Sequence, residues 1–132
     1  MNPRYLLDTD WAIDYLSGQE RTRQRLEEVE ENSLAFSIIS LAEVYEGIYY
    51  SRDPEGNEKA LLDFLQDVTL ISIDEEISQL FGKERGRLRA MGRMASDFDL
   101  LIGVTARRYG LILFTNNRKH FENIQGLRME SV

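Results

Sequence analysis

Short apolar runs separated by longer helical stretches constrain this chain more than any other feature. RYLLD (4–8), LAFS (34–37), VTLISI (68–73) and LILFT (111–115) each have the length and content of a buried strand. A weaker fifth lies within GLRMESV (126–132). Between them the spacing predicts helices over TDWAIDYLSG (9–18), the charged stretch 19–32, Ile39 to Tyr50 and EKALLDFLQD (58–67), which Pro54 is placed to start. Two more are predicted from Asp74 to about Met94 and over 97–110, the latter with acids at its start, Arg107 and Arg108 near its end and Gly110 as its stop. Regular alternation of this kind demands parallel strands with helices on both faces. The expected fold is therefore α/β, a three-layer sandwich around a short parallel sheet of four to five strands. A length of 132 residues with no internal repeat or linker reads as one domain, 1–132.

Apolar residues make up 42% of the chain, enough to build a packed core. No cysteine is present, which excludes disulfides and thiolate metal sites and fits a reducing compartment. The N-terminal apolar run is too short, and too soon followed by acids, for a secretory signal. No run approaches a membrane span. A soluble cytoplasmic protein is expected. The net charge of −7 argues against a general nucleic-acid binder, because phosphate contacts supply most of such affinity. The basic residues are clustered, however. KERGRLRAMGR (83–93) carries Lys83, Arg85, Arg87, Arg89 and Arg93 against the single acid Glu84, and Arg107–Arg108 and Arg118–Lys119 form two smaller groups. Each is either a solvated helix face or a basic rim beside an acidic site.

In open α/β sheets ligands collect at the carboxyl ends of the strands. Asp8 ends the first predicted strand, Asn117 follows the fourth, Asp97 and Asp99 open a helix, and Glu43 lies one turn into another. Acids distant in sequence thus converge on one edge, where clustered carboxylates hold protons unless a cation sits among them. Oxygen ligands without cysteine, and with His120 as the sole histidine, suit Mg²⁺ or Mn²⁺ rather than zinc. Taken singly, Asp8, Asp97 and Asp99 also read as helix caps. A helical wheel over SIISLAEVYEGIYY (37–50) puts Ile38, Leu41, Ala42, Tyr45, Ile48 and Tyr49 on the apolar stripe. Glu43 and Glu46 lie on one border, Glu46 slightly nearer, so geometry alone leaves the choice between them open.

Four segments, YLLDTDWAIDYLSG, SIISLAEVYEGI, DFDLLIGVTARRYGLILFTNN and RKHFENIQGLRME, resemble in order and spacing the PIN-domain ribonucleases, above all the VapC-type toxins of type II toxin–antitoxin pairs. The resemblance implies a PIN-like fold and places the family's acids on Asp8, Glu43 and Asp99, the expected catalytic residues and metal ligands. Glu46 and Asp97 then become secondary. Thr115 sits where a Ser or Thr commonly helps. Asn117 occupies the place of a frequent fourth acid, and Asp10 that of a common Asn. Both are departures, and the first weakens the case for a second metal.

A metal-dependent endoribonuclease is implied, using Mg²⁺ or Mn²⁺ to activate water for attack on a phosphodiester and leaving 5′-phosphate and 3′-hydroxyl ends. A structured RNA such as a tRNA is the implied substrate, with Arg85, Arg87, Arg89, Arg93, Arg107 or Arg118 guiding its backbone. A VapB-like antitoxin, a homodimer and a larger toxin–antitoxin assembly complete the expectation; Tyr45, Ile48, Tyr49 and Tyr50 offer an apolar face for the homodimer, and core packing accounts for them equally well. Two other readings compete. LLDTDWA and LILFTN also resemble haloacid-dehalogenase-type phosphatases, but Ala12 is wrong for that motif and too little chain follows TNN for its later motifs. A PIN-like module that only binds a partner is the alternative suggested by Asn117.

Overall fold

The computed structural model describes residues 3–132. Five parallel strands, β1 (Tyr5–Leu7), β2 (Leu34–Ser37), β3 (Thr69–Ile71), β4 (Ile112–Phe114) and β5 (Met129–Glu130), form one sheet in the order β3-β2-β1-β4-β5. Tyr5, Leu6 and Leu7 pair in register with Leu34–Phe36 on one side and Ile112–Phe114 on the other. The chain leaves β1 towards β2 and later returns to the opposite side as β4. The boundary between β1 and β4 is therefore the topological switch point, where an open α/β sheet leaves a crevice.

Successive strand residues face opposite ways. Leu6, Ala35 and Leu113 enter one core, and Leu7, Phe36 and Phe114 the other. The second core is covered by α1 (Thr9–Leu16), α2 (Glu20–Glu28), α3 (Ile38–Tyr49) and α4 (Pro54–Leu65). The first is covered by α5 (Glu75–Ala90), α6 (Asp97–Arg108) and α7 (Arg118–Phe121). Phe114 stacks at 4.4 Å on both Tyr5 and Trp11, which ties α1 to the two central strands. Full burial of such a side chain contributes about 1.5–3 kcal/mol. Among the described residues no helix is long and apolar enough to cross a membrane.

The three-layer α/β/α arrangement and the five strands match expectation; several boundaries do not. The helix predicted to reach Met94 ends at Ala90, because Gly92 turns the chain with φ +68°. Helix α7 has no counterpart in the sequence reading. It enters the core through fully buried Phe121, and the segment after it packs on Gly103 of α6, where a Cβ would stand 2.5 Å from Ile124 Cδ1. The wheel for α3 is also corrected. Ser40, Val44 and Ile48 face inwards, while Ala42 and Tyr49 are exposed, so the helix is turned by roughly one residue step of about 100° from its most apolar stripe. Small Ser40 permits close approach to neighbouring elements, and Ile48 belongs to the core instead of an outer apolar face.

Glu84 of α5 is a buried acid, 4% exposed, that the sequence reading set aside as the lone acid of a basic run. Its oxygens accept from Arg87 Nε and Nη2 at 2.9 and 2.7 Å and from the Gln125 N–H at 2.8 Å, and Arg107 Nη1 lies 3.6 Å away. Arg87 and Arg107 carry on to the carbonyls of Asn123 and Gln125. Two arginines expected on an RNA rim are thus spent fastening the loop after α7 to α5 and α6. Hydrogen bonds from Arg87 lead the causes that hold the Glu84 carboxyl at about 2, against an ordinary 4.5. Stability from this depressed group is complete above its unfolded pKa and is lost as pH falls through its folded value. Glu84→Gln is therefore expected to lower unfolding free energy by about 3 kcal/mol at neutral pH. Urea unfolding should show that gap narrowing between about pH 5 and pH 2; a gap independent of pH would refute the assignment.

Candidate functional site

The carboxyl ends of β1 and β4 place the first two components. Asp8 follows β1 and is 4% exposed. Its N–H donates to the Phe114 carbonyl at 2.9 Å, extending the ladder one residue past the strand. Its Oδ1 accepts the Thr9 N–H at 2.8 Å, so Asp8 caps α1. Its Oδ2 accepts the hydroxyl of fully buried Thr115 at 2.8 Å. Thr115 Oγ1 in turn accepts the Asn117 N–H at 3.0 Å. Capping and site-building are thus performed by the two oxygens of one carboxyl.

Helix starts supply the rest. Asp10, in the first turn of α1, uses Oδ2 to accept the Asn116 N–H at 3.1 Å and the Asn117 side-chain amide at 3.2 Å. Its Oδ1 is buried without a hydrogen-bond partner. Glu43 of α3 accepts the Thr9 hydroxyl on Oε1 at 2.7 Å. Asp99 lies in the first turn of α6, with Oδ2 3.4 Å from His120 Nδ1 on α7. A cavity of about 590 Å³ collects Asp8, Asp10, Glu43, Asp97, Asp99 and Asn117 on one surface. Thr9, Ile13, Ser96, Phe98 and His120 complete the lining. Thr115 stands behind Asp8.

Burial, and then the charge of Asp10, push the Asp8 carboxyl from 3.8 up to about 7, against the hydrogen bonds from Thr115 and the Thr9 N–H. Burial also raises Asp10. Asp8 resists ionising beside Asp10, and a proton or a cation between the two carboxyls relieves that repulsion. Among the described residues no three His, Cys, Asp or Glu side chains form a ready-made ligand set. A wall rich in carboxylate oxygens, with buried Asp8 beside half-buried Asp10, nevertheless fits Mg²⁺, which keeps several waters and takes one or two carboxylates directly.

The structure separates acids that the sequence left level. Glu43 reaches the cavity half-buried, while Glu46 is exposed outside it. The cap of α6 is Ser96, whose hydroxyl accepts the Asp99 N–H at 3.1 Å. Asp97 is instead an exposed rim residue paired at 3.1 Å with Arg85 Nε. Arg89 and Arg93 line a neighbouring cavity of about 390 Å³ with Arg85, and Arg118 lies exposed, bonded to Ser131. Thr9, Phe98 and His120 went unassigned in the sequence reading. For Thr9 the signal was its place between two acids in DTD, which aims its hydroxyl across the crevice. For His120 it was position alone, just past the fourth strand.

The PIN domain model matches residues 5–127. The chain belongs to the PIN domain family. It is 32% identical to ribonuclease VapC2 of Haemophilus influenzae over 130 residues, 97% of each chain. It is 28% identical to the tRNA(fMet)-specific endonuclease VapC of Shigella flexneri over 127 residues, 96% of each. The solved structure of VapBC2 from Rickettsia felis bound to a DNA fragment from their promoter superposes with a TM-score of 0.90. That match has 29% identity and covers 100% of this chain and 99% of the other.

The electrostatics of this PIN domain have a measurable consequence. The folded pKa of Asp8 exceeds its unfolded value, so the native state binds the extra proton and loses stability as pH rises from about 4 to about 7. Asp8→Asn removes that cost. In chelator at pH 8 the variant is expected to melt above wild type, with the difference closing towards pH 4. Circular-dichroism melts decide; a variant that melts below wild type at both pH values would count against the buried-charge account.

Proposed function

We propose that this PIN domain is the endoribonuclease toxin of a toxin–antitoxin pair, using Mg²⁺ or Mn²⁺ and neutralised by a VapB-type partner. The observation that carries the reading is the convergence of Asp8, Glu43 and Asp99, from three separate segments, on one cavity at the switch point. Full-length likeness to named VapC ribonucleases and to a solved VapBC complex supports the substrate class and the partner. A second copy of the chain is expected to pack on α3, where Tyr49 is 60% and Tyr50 89% exposed.

Asp8, Asp99 and Glu43 are the residues that would hold the ion, partly through its waters. When bound, the ion lowers the pKa of a water and offsets charge developing on the phosphate. The chain's own part is orientation. Thr115 and the Thr9 N–H fix both oxygens of Asp8, and the Thr9 hydroxyl fixes Oε1 of Glu43, leaving Oε2 to accept a proton from the attacking water. Attack by water yields 5′-phosphate and 3′-hydroxyl ends. With His120 alone, the chain has no pair of histidines for metal-free cleavage through the ribose hydroxyl. Arg85, Arg89, Arg93 and Arg118 are the exposed arginines that would contact RNA phosphates; Arg87 and Arg107 are held by Glu84.

The test is cleavage of total small RNA by antitoxin-free protein in Mg²⁺ or Mn²⁺ and in chelator, wild type beside Asp99→Asn. Discrete cuts that need metal and fall by roughly 10²-fold or more in the variant are expected. Intact RNA in every metal, from folded protein, would select the partner-binding module instead.

A further inference from the structure

We infer that Asp10 is a cation ligand of this site, paired with Asp8, and that Asn117 is the residue that positions it. The inference rests on the metal-dependent reading above and extends it to two residues that reading leaves in support.

The oxygen inventory singles out Asp10. Glu43 has Thr9 on Oε1, Asp99 has His120 beside Oδ2, and each oxygen of Asp8 accepts one hydrogen bond. Asp10 alone among these acids keeps a buried oxygen, Oδ1, with no donor. Burying a carboxylate oxygen without a partner is costly. An acid serving only the dipole of α1 gains roughly 0.3–1 kcal/mol and does so from an exposed position. Asp10 is instead half-buried, on the cavity wall. Its other oxygen is clamped from the far side by the Asn116 N–H and the Asn117 amide, both from the segment after β4. That clamp leaves Oδ1 as the free ligand atom, as an outer hydrogen bond orients a metal-binding carboxylate. An amide at 117 donates this bond; an acid there would repel Asp10.

Calorimetric titration of the full chain with MnCl₂ at pH 8 tests this apart from RNA cleavage. Asp10→Asn is expected to weaken Mn²⁺ binding by roughly tenfold or more, and Asn117→Ala by several-fold. Glu46→Gln, an exposed acid outside the cavity, should leave it unchanged. The double variant Asp10→Asn/Asn117→Asp moves the carboxylate to the other end of the same hydrogen bond and should recover much of the lost affinity, which a purely structural role would not do. Circular dichroism confirms that each variant is folded. Asp10→Asn binding Mn²⁺ as tightly as wild type, or wild type binding none, overturns the ligand assignment. A folded double variant no better than Asp10→Asn overturns the positioning role. Mn²⁺ binding that needs Asp10, in a protein that cuts no RNA, supports the assignment and removes the nuclease reading instead.

Discussion

A buried hydrogen bond 2.8 Å long, from the Thr115 hydroxyl to Asp8 Oδ2, joins the ends of the two central strands, and the rest of the site is arranged around it. It lies where the sheet reverses its order of construction, so no helix crosses over the opening. Burial there favours the neutral form of Asp8. Thr115 and the Thr9 N–H offset part of that cost, and the repulsion from Asp10 remains. Regions that bind are commonly less stable than the scaffold alone would permit, and this one shows why in terms of two named carboxyls.

The counterweight lies in helix α5. Glu84 is buried like Asp8 but meets two arginines and a backbone N–H, and its pKa moves the other way, to about 2. Two buried acids in one small protein thus take opposite electrostatic fates. The difference is the sign of the neighbours: Asp8 faces another acid, Glu84 faces guanidinium groups. One is satisfied within the fold and secures the loop that follows α7; the other is left incomplete at the crevice. Net charge hides this division, because −7 averages a fastened basic cluster with an exposed acidic cavity.

Much of the architecture was legible because period and length carry it. Buried strands such as LAFS and LILFT announce themselves, and their alternation with helices dictates parallel pairing. The acids at strand ends were legible for the same reason, since strand ends define one edge of the sheet. What stayed hidden depends on tertiary packing. The four residues of α7 are too few to show a period. The rotation of α3 buries the small polar Ser40, and a wheel weighted by apolarity cannot register that. Glu84 sat among basic residues and read as solvated, although its spacing to Arg87 suits a pair along a helix. Arg107 and the Gln125 N–H, which turn that pair into a buried network, come from elsewhere in the chain.

Asp10 and Asn117 show how two separate oddities become one feature once the fold is known. In the sequence each was a departure from the family pattern, an acid where an amide is common and an amide where an acid is frequent. In the structure they are the two ends of one hydrogen bond, 3.2 Å long, across the mouth of the crevice. Read apart, Asn117 removes a charge and weakens the site, while Asp10 adds one with no evident use. Taken together, the crevice keeps a carboxylate in the first turn of α1 where the family pattern has one in the segment after β4. The donor to the Asp10 carboxylate is the amide that stands in that acid's place. A change at either residue alone would leave the pair mismatched, as two facing carboxylates or as two amides.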